Sequence, residues 1–317
     1  MVVLIAGGAD EHALMVKRVL AERHAEEAFI LDSSTFPVST SVDGRFGGSR
    51  PTFHLRNGRP SAIALDEARS FWWRRPQRMT IDPRITDASA FNFAYSECLS
   101  ALHGMLACCD GLWVNDIHRD DAADYKPRQL KTAARLGFAV PDTLITNDPA
   151  RVRAFLEEHD GRVVYKAFNQ RAIAWRPARL LREEDLSFLD HVRAAPVIFQ
   201  AFVPGVRDLR VTVVGHEIFA AAFEAPGGEH VDYRLDLAHS TCVPHELPAD
   251  MLARLRSLMA ALRLEYGAID LRLTPDGQYV FFELNTGGEF LYVQQRTGQP
   301  IAEAVAAHLA RGQAANP

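Results

Sequence analysis

One short segment near the C-terminal end, at 268–285, limits the fold of this chain more than any other. An Asp-Gly pair at 276–277 is a favoured turn between two runs of alternating residues, so the segment predicts a β-hairpin. Pairing residues symmetrically about this turn puts Asp270 directly opposite Glu283. Because side chains alternate along a strand, Asn285 is expected on the same face as Glu283. The hairpin therefore predicts two acids and an amide in one patch.

The opposite face of the hairpin is expected to be apolar and to consist of Leu271, Leu273, Phe282 and Leu284. Two facing carboxylates repel each other, and they usually occur with a bound hard cation or with an arginine. Mg2+ takes oxygen ligands from one or two carboxylates and completes its shell with water and phosphate oxygens. The alternative is that Arg272, on the same face as Asp270, simply neutralises the two acids.

The rest of the chain alternates strand-like and helical patterns, which predicts an α/β fold. Residues 1–119 form a first α/β unit with a small, partly parallel sheet and a Gly/Ser/Pro-rich stretch through Pro51, for which no strand is predicted. Residues 120–196 form a central unit, in which one strand carries Lys166 in its middle. An ammonium among apolar neighbours is costly to bury unless it is paired. Residues 197–317 form a third unit, which contains the hairpin.

Composition excludes several classes of protein. A net charge of -5 argues against a general nucleic-acid binder, which usually carries a basic excess. No apolar run approaches the roughly 20 residues that cross a bilayer, and the first residues read as a buried strand and turn and not as a signal peptide. We therefore expect a cytoplasmic enzyme without membrane or nucleic-acid partners. The cysteines form no CxxC pair and are expected to be reduced thiols: Cys98, Cys108, Cys109 and Cys242.

The hairpin resembles the metal-binding segment of the ATP-grasp superfamily. GAIDLR and FFELN match its pattern, in which Asp270, Glu283 and Asn285 would ligate Mg2+, with Mn2+ as an alternative ion. The implied fold is α/β, and its first unit would be a Rossmann-like pre-ATP-grasp domain. The central unit would be the lid, and the third unit a C-terminal ATP-grasp subdomain with an antiparallel sheet.

The same resemblance implies an ATP site assembled from the central and third units. Lys126 in DYKPRQL and Lys166 in VVYKAF would bind phosphates, and IFQAFVPG would be the adenine hinge. The implied nucleotide contacts are Lys126, Lys166, Gln200, Ala201, Phe202, Asp208 and Arg210. Arg210 would lie near the transferred phosphate and, with Lys166 and Arg234, would be catalytic. Lysines, an arginine and metal ions are the groups needed to offset charge when ATP phosphorylates a carboxylate.

Each nucleotide residue also has an ordinary structural interpretation. Lys126 could be a solvated residue at the start of a helix, and Lys166 could belong to a structural salt bridge. Asp208 could be a turn residue, and Gln200 an ordinary strand residue. The interpretation as an ATP site depends on the occurrence of all these residues in the expected order.

The two arginines have alternative partners nearby in the sequence. Arg210 could pair with Glu224 or Asp232, and Arg234 could form a surface ion pair with Asp232 or Asp236. Neither pairing would require a ligand.

Within the superfamily, the sequence resembles the microviridin-type peptide maturases, also called graspetide ligases. The resemblance spans nearly the whole chain and is carried by SFWWRRP, LITNDP, DLRVTVVGHEIFAA, VDYRLD and ELNTGGEFLYVQQRTGQPI. It implies a ribosomal precursor peptide with a leader and a core rich in Thr, Asp and Glu. An Asp or Glu side chain would be phosphorylated and then captured by a Thr or Ser hydroxyl or by a Lys amine. Relatives are commonly dimers, so a homodimer is compatible with the resemblance.

Some features leave alternatives open. Arg74 and Arg75 would serve either packing at a domain junction or contact with the peptide. The segment after Asn285 reads TGGEF, which departs from the usual pattern of the superfamily. An alternative activity is the addition of free amino acids to a peptide or small acid. An alternative outside catalysis is a nucleotide-binding module that acts as a scaffold.

Overall fold

The computed structural model describes residues 1–48, 50–57, 62–168, 177–224, 231, 233–236 and 240–312, without the side chains of Arg234 and Asp236. Its α-helices are α1 (Glu11–His24), α2 (Ala88–Ala107), α3 (Ile117–Asp124), α4 (Lys126–Arg135), α5 (Pro149–Glu158), α6 (Ala249–Leu262), α7 (Leu291–Thr297) and α8 (Ile301–Arg311). Short 3-10 helices cover Ser33–Thr35, Glu183–Ala194 and Tyr233–Asp236. None of the helices in these ranges is long and apolar enough to cross a bilayer.

The strands form four sheets. They are β1 (Val2–Ala6), β2 (Ala28–Leu31), β3 (Ser41–Arg45), β4 (Thr52–Arg56), β5 (Ile63–Ala64), β6 (Ser70–Arg75), β7 (Leu112–Val114), β8 (Thr143–Thr146), β9 (Val163–Lys166), β10 (Arg179–Leu180), β11 (Val197–Ala201), β12 (Arg207–Val214), β13 (Glu217–Glu224), β14 (Thr241–Pro244), β15 (Tyr266–Leu273) and β16 (Tyr279–Asn285). The mixture of parallel and antiparallel sheets with covering helices is the predicted α/β class.

The first sheet has the order β2-β1-β6-β7, and all three pairings are parallel. Every residue of β1 is buried, because the strand lies in the middle of a sheet that is covered on both faces. Helix α1 begins after Asp10, whose carboxylate accepts a hydrogen bond from the Ala13 amide at 2.8 Å. Helix α1 packs against α8, so the two ends of the chain meet.

A small antiparallel sheet has the order β3-β4-β5, and its first strand lies in the stretch for which no strand was predicted. Strand β3 pairs with β4 along its whole length, from Ser41 opposite Arg56 to Arg45 opposite Thr52. Four of its five residues are exposed, so its sequence lacks the apolar alternation by which a half-buried strand is recognised. The strand could therefore not be predicted from the Gly/Ser/Pro-rich sequence.

The central sheet is antiparallel and has the order β10-β9-β11-β8. Lys166 is the last residue of β9 and not its middle, as the sequence suggested. The sequence placed the start of the third unit at Val197, but β11 is hydrogen-bonded to β8 and β9 of the central unit. A strand pattern does not identify its partners, so the sequence could not assign this strand to a sheet. The domain boundaries stay a prediction.

The largest sheet has the order β14-β13-β12-β15-β16 and is antiparallel throughout. Asp270 lies directly opposite Glu283, as the turn predicted. Closer to the turn the register differs, because a β-bulge lies between Asp270 and Leu271 and pairs Leu271 with Phe281. Phe281 is therefore buried in the core. The prediction that Phe282 lies on the face opposite Asp270 and Glu283 is wrong, since it lines the same pocket and its ring centroid lies 5.2 Å from the Arg272 guanidinium.

Candidate active site

The two central strands of the largest sheet carry the same pattern, Asp-Leu-Arg, in β12 and β15. Because the strands are antiparallel, Asp208 lies opposite Arg272, and Arg210 lies opposite Asp270. Arg272 donates to the Asp208 carboxylate from Nε at 2.7 Å and from Nη2 at 2.9 Å. Arg272 therefore does not neutralise the hairpin acids, and that alternative is wrong. Asp208 lies within a strand and is not a turn residue.

Arg210 donates from Nη1 to both oxygens of Asp270, at 2.8 and 3.0 Å. Burial alone would lower the pKa of Arg210, but the charge of Asp270 raises it well above its usual value. The guanidinium therefore stays charged. Glu224 instead pairs with Arg207 at 2.5 Å, so the predicted alternative partner is wrong, and Asp232 lies outside the described residues.

The Glu283 carboxylate faces two ammonium groups. Its Oε2 lies 3.6 Å from Lys126 Nζ and 3.8 Å from Lys166 Nζ, and all three side chains are at most 10% exposed. Lys126 begins α4 and also donates to the Leu284 carbonyl at 3.3 Å, so the solvated alternative is wrong. Two lysines from different elements, α4 and β9, thus meet one hairpin acid. The salt-bridge alternative for Lys166 and the phosphate-binding prediction are both compatible with this geometry.

Asn285 completes the patch. Its Nδ2 lies 3.3 Å from Asp270 Oδ2 and 3.2 Å from Glu283 Oε1. To ligate a cation, the amide would have to turn its oxygen inward, a change of side-chain orientation only. Among the described residues, no three His, Cys, Asp or Glu side chains form a metal site. Two carboxylates, one amide and nucleotide oxygens suit a hard cation such as Mg2+ and not a thiolate- or imidazole-bound metal.

A pocket lies between the central sheet and the largest sheet, and seven predicted residues line it together. These residues are Lys166, Gln200, Ala201, Phe202, Asp208, Asp270 and Glu283. Phe282 also lines it, and the hairpin patch forms one end of the pocket. An apolar wall with a few convergent charged groups is typical of a small-molecule site. Lys126 and Arg210 are absent from this lining but contact the patch, Lys126 at Glu283 and Arg210 at Asp270.

The predicted adenine hinge forms one wall of this pocket. Gln200 is 4% exposed, and its Nε2 donates to Thr143 Oγ1 at 3.0 Å, which fixes the side chain against β8. The Ala201 amide donates to the Asp142 carbonyl at 2.9 Å and is therefore engaged within the protein. Phe202 contributes its side chain to the pocket wall. Contacts between this segment and a base stay a prediction.

Arg234 belongs to the short 3-10 helix Tyr233–Asp236, but its side chain lies outside the described residues. The same is true of Asp236, and Asp232 is not described at all. Both the catalytic prediction and the ion-pair alternative for Arg234 therefore stay predictions.

Sequence reasoning missed Gln129 in α4. It is 1% exposed, and its amide binds both the N–H and the C=O of Leu284, at 2.9 and 2.8 Å. Leu284 lies between Glu283 and Asn285, so Gln129 holds the main chain that carries these two side chains. A polar residue in a helix usually faces solvent, and only its place one turn after Lys126 could have drawn attention to it.

A pair of tyrosines was also missed. The Tyr233 and Tyr292 hydroxyl groups lie 2.9 Å apart. Tyr233 lines the pocket, and Tyr292 lines a larger groove on the other side of Arg210 and Asn285. Burial, followed by the neighbouring phenol, raises the pKa of Tyr233 well above its usual value, so the Tyr233 phenol stays neutral. The pair separates the pocket from the groove.

The groove extends from the hairpin patch to the N-terminal unit. Arg75, Arg78 and the α2 residues Tyr95 and His103 line its far end. The guanidinium of Arg78 lies over the Tyr95 ring at 5.3 Å from its centroid. The groove begins at the patch, and its lining carries four arginines beside four acids, Asp120, Asp121, Asp124 and Glu289, so its charge is mixed.

Comparison with known proteins identifies the family. No protein-family model matches the sequence, and a search of the curated proteins finds no match. Among solved structures, macrocyclase MdnC from Microcystis aeruginosa MRC, bound with precursor peptide MdnA, is 30% identical, with a TM-score of 0.87 and coverage of 98% of this chain and 99% of MdnC. The chain belongs to the microviridin-type ATP-grasp ligases.

Two further ATP-grasp structures agree with this assignment. A RiPP-associated ligase from Chryseobacterium gregarium, in complex with ADP and a leader and core peptide, is 25% identical, with a TM-score of 0.87 and coverage of 98% of this chain and 96% of the ligase. Macrocyclase MdnB from Microcystis aeruginosa MRC is 28% identical, with a TM-score of 0.80 and coverage of 97% and 98%. The predicted ATP-grasp fold and ligase class are thereby confirmed.

Proposed function

We propose that this ATP-grasp ligase phosphorylates Asp or Glu side chains of a ribosomal precursor peptide and joins them to side-chain nucleophiles within the same peptide. The observation that carries the proposal is the meeting of Lys126 and Lys166 on Glu283, beside Asp270 and Asn285, at the junction of pocket and groove. A nucleotide in the pocket would present its terminal phosphate at this junction. A peptide in the groove would present its carboxylate there.

The proposed reaction has two steps. A carboxylate oxygen of the peptide attacks the terminal phosphorus of ATP, the bond to the bridging oxygen breaks, and ADP leaves. A Thr or Ser hydroxyl, or a Lys amine, then attacks the acyl carbon, phosphate leaves, and the nucleophile loses its proton. The product is an ester or an amide, and each ring corresponds to one water lost from the peptide.

The residues of the patch have separate tasks in this proposal. Lys126 and Lys166 bind phosphate oxygens, and Arg210, held in its orientation by Asp270, binds the transferred group. Gln200, Ala201 and Phe202 hold the adenine, and Asp208 fixes Arg272 in the pocket floor. Arg234 would assist Arg210 at the acceptor carboxylate.

A divalent cation would be held by Asp270, Glu283 and Asn285. The donor set fits Mg2+, with Mn2+ as a substitute, because all of its ligand atoms are oxygens once the Asn285 amide is turned. When bound, the ion would offset the negative charge of the phosphate groups together with Lys126, Lys166 and Arg210. The ADP in the Chryseobacterium gregarium ligase supports the use of ATP by this chain.

The peptide partner is supported by the relatives. MdnC was solved with a precursor peptide, and the Chryseobacterium gregarium ligase with a leader and a core peptide. We propose a partner of the same class, with a leader and with a core rich in Thr, Asp and Glu. The four free cysteines agree with a reducing, cytoplasmic setting. A homodimer fits the proposal without being required by it.

The test begins with the DNA beside the gene. A short reading frame rich in Thr and Asp/Glu is translated, and the peptide is incubated with enzyme, Mg2+ and ATP. The expected result is a loss of one water per ring, with one ADP formed for each water, and no reaction with the Glu283→Gln variant. A gain of mass from added free amino acids would instead favour an amino-acid ligase. ADP formation that is equal in the parent enzyme and the variant would contradict the proposal.

A further inference from the structure

The TGGEF loop that follows the hairpin is held by the N-terminal unit. Arg74 donates from Nη1 to the carbonyls of Gly287 and Gly288, the latter at 3.3 Å. Arg75 donates from Nε to Gly287 O at 3.2 Å and from Nη1 to the Glu289 carboxylate at 2.6 Å. Arg74 is 1% exposed, so its contacts lie within the interface. The two arginines for which the sequence left the role open therefore bind the segment that departs from the family pattern.

His12, from the first turn of α1, holds the end of the same loop. Its Nε2 accepts hydrogen bonds from the amides of Phe290 and Leu291, at 3.1 and 3.2 Å. These amides stand at the start of α7, where helix N–H groups lack partners within the helix. Burial, followed by the charges of Arg74 and Arg75, lowers the pKa of His12 to about 3. The imidazole is therefore neutral, with its proton on Nδ1, and Nε2 is free to accept.

The loop in turn contacts a residue of the reaction site. Arg210 Nη2 donates to the Glu289 carbonyl at 3.2 Å, which is its contact on the side away from Asp270. The Tyr266 hydroxyl donates to Gly288 O at 2.7 Å. A Cβ at Gly288 would lie 2.2 Å from the Ala268 Cβ and 2.7 Å from Arg210 Nη2, so the Gly288 main chain lies in close contact with the guanidinium.

We infer that His12 and Arg74 are positioning residues, which set the orientation of Arg210 through the main chain at 287–291. Arg210 has two anchors: Asp270 from the sheet, and a carbonyl whose position depends on the N-terminal unit. Loss of the second anchor leaves the arginine paired but free to rotate about its contact with Asp270. This inference rests on the proposed function, because it assigns its effect to the step in which Arg210 acts.

The competing explanation is that these residues only pack the units together. Two features of the interface separate the explanations. Ser70, at the start of β6, donates a buried hydrogen bond to Leu309 O at 2.8 Å, so it joins the same units at the end remote from the loop. The nucleotide pocket is lined by residues of the central and C-terminal units, without His12 or Arg74. A packing role predicts equal effects of Ser70 and His12, whereas a positioning role does not.

The experiment compares His12→Met, His12→Gln and Ser70→Ala in the full chain. Methionine is close to histidine in size but accepts no strong hydrogen bond, whereas the glutamine carbonyl can replace Nε2 as acceptor. We expect kcat for ADP formation with Mg-ATP and the precursor peptide to fall roughly tenfold in His12→Met, with an unchanged KM for ATP. His12→Gln should recover most of the rate, and Ser70→Ala should retain it. Tyr266→Phe, which removes one donor to Gly288 and keeps the ring, should show a smaller fall.

Hydrogen exchange gives a readout that does not depend on catalysis. The amides of Phe290 and Leu291 should exchange faster in His12→Met than in the parent protein and in Ser70→Ala. A parent enzyme that forms no ADP would contradict the proposed function, while exchange would still test the loop anchor. Equal kcat in His12→Met and the parent, an equal loss in Ser70→Ala, or unchanged exchange would overturn the inference.

Discussion

Arg210 and Asp270 lie opposite each other on neighbouring strands and share two hydrogen bonds from a single guanidinium nitrogen, at 2.8 and 3.0 Å. Asp270, one of the two acids predicted to ligate a metal, is therefore bound by Arg210. Glu283, the other acid, instead faces lysines. The two carboxylates therefore differ in their partners, although they lie opposite each other in the hairpin. A cation that binds both would have to share Asp270 with Arg210.

Neutralising either hairpin acid should strongly slow turnover. Asp270→Asn and Glu283→Gln are each expected to lower ADP formation at least about a hundredfold, because each removes a negative charge that holds Mg2+ and cationic side chains beside the transferred phosphate. The measurement is the initial rate of ADP release as a function of Mg2+ concentration. Glu224→Gln is the control, since its exposed pair with Arg207 contributes little. Retention of the parent rate in both site variants would rule out the hairpin as the metal site.

Breaking the buried pair in the pocket floor should destabilise the protein. Arg272→Met leaves the Asp208 carboxylate, which is 10% exposed, without its partner. We expect the free energy of unfolding to fall by about 3 kcal/mol, as is typical when one member of a buried ion pair is removed. Arg207→Met is the matched control, because Arg207 is 43% exposed and should change stability by less than about 1 kcal/mol. Urea unfolding measures both, and equal effects would contradict the prediction.

Two glycines should respond to alanine in opposite directions. Gly288 has no room for a Cβ, because Ala268 Cβ would lie 2.2 Å away, so Gly288→Ala should lower both stability and kcat. Gly104 lies inside α2 and faces open space, so Gly104→Ala should stabilise the protein by about 0.5–1 kcal/mol. Thermal unfolding and ADP formation measure the two effects. A neutral Gly288→Ala would show that the loop can move away from Arg210.

Glu265 should contribute to the acid sensitivity of folding. Its hydrogen bond with His308, at 3.0 Å, lowers the pKa of Glu265 from its usual value of 4.5. A lowered folded-state pKa stabilises the protein fully above pH 4.5, and this contribution is lost as the pH falls through the folded-state value. The stability difference between the parent and Glu265→Gln, measured by urea unfolding at several pH values, should therefore shrink below pH 4.5. Glu246→Gln, an exposed acid, serves as the control, and a difference independent of pH would contradict the prediction.

The sequence predicted the hairpin and the pairing of Asp270 with Glu283, but not the register closer to the turn, where Leu273 lies opposite Tyr279. It was insufficient for Phe281 and Phe282, since the β-bulge that exchanges their faces leaves no mark in the residue pattern. The ATP-grasp resemblance placed Lys126 and Lys166 in one site, although they lie on different elements. The contacts of His12 and Arg74 with residues more than two hundred positions away depend on how the units pack, which local patterns do not encode.

Gln129 has a consequence for self-association. Strand β16 is the last strand of its sheet, and unpaired N–H and C=O groups on such a strand recruit foreign strands. By binding both main-chain groups of Leu284, the Gln129 amide acts as a one-residue substitute for a neighbouring strand. The main chain between Glu283 and Asn285 is thereby closed to intermolecular β-pairing.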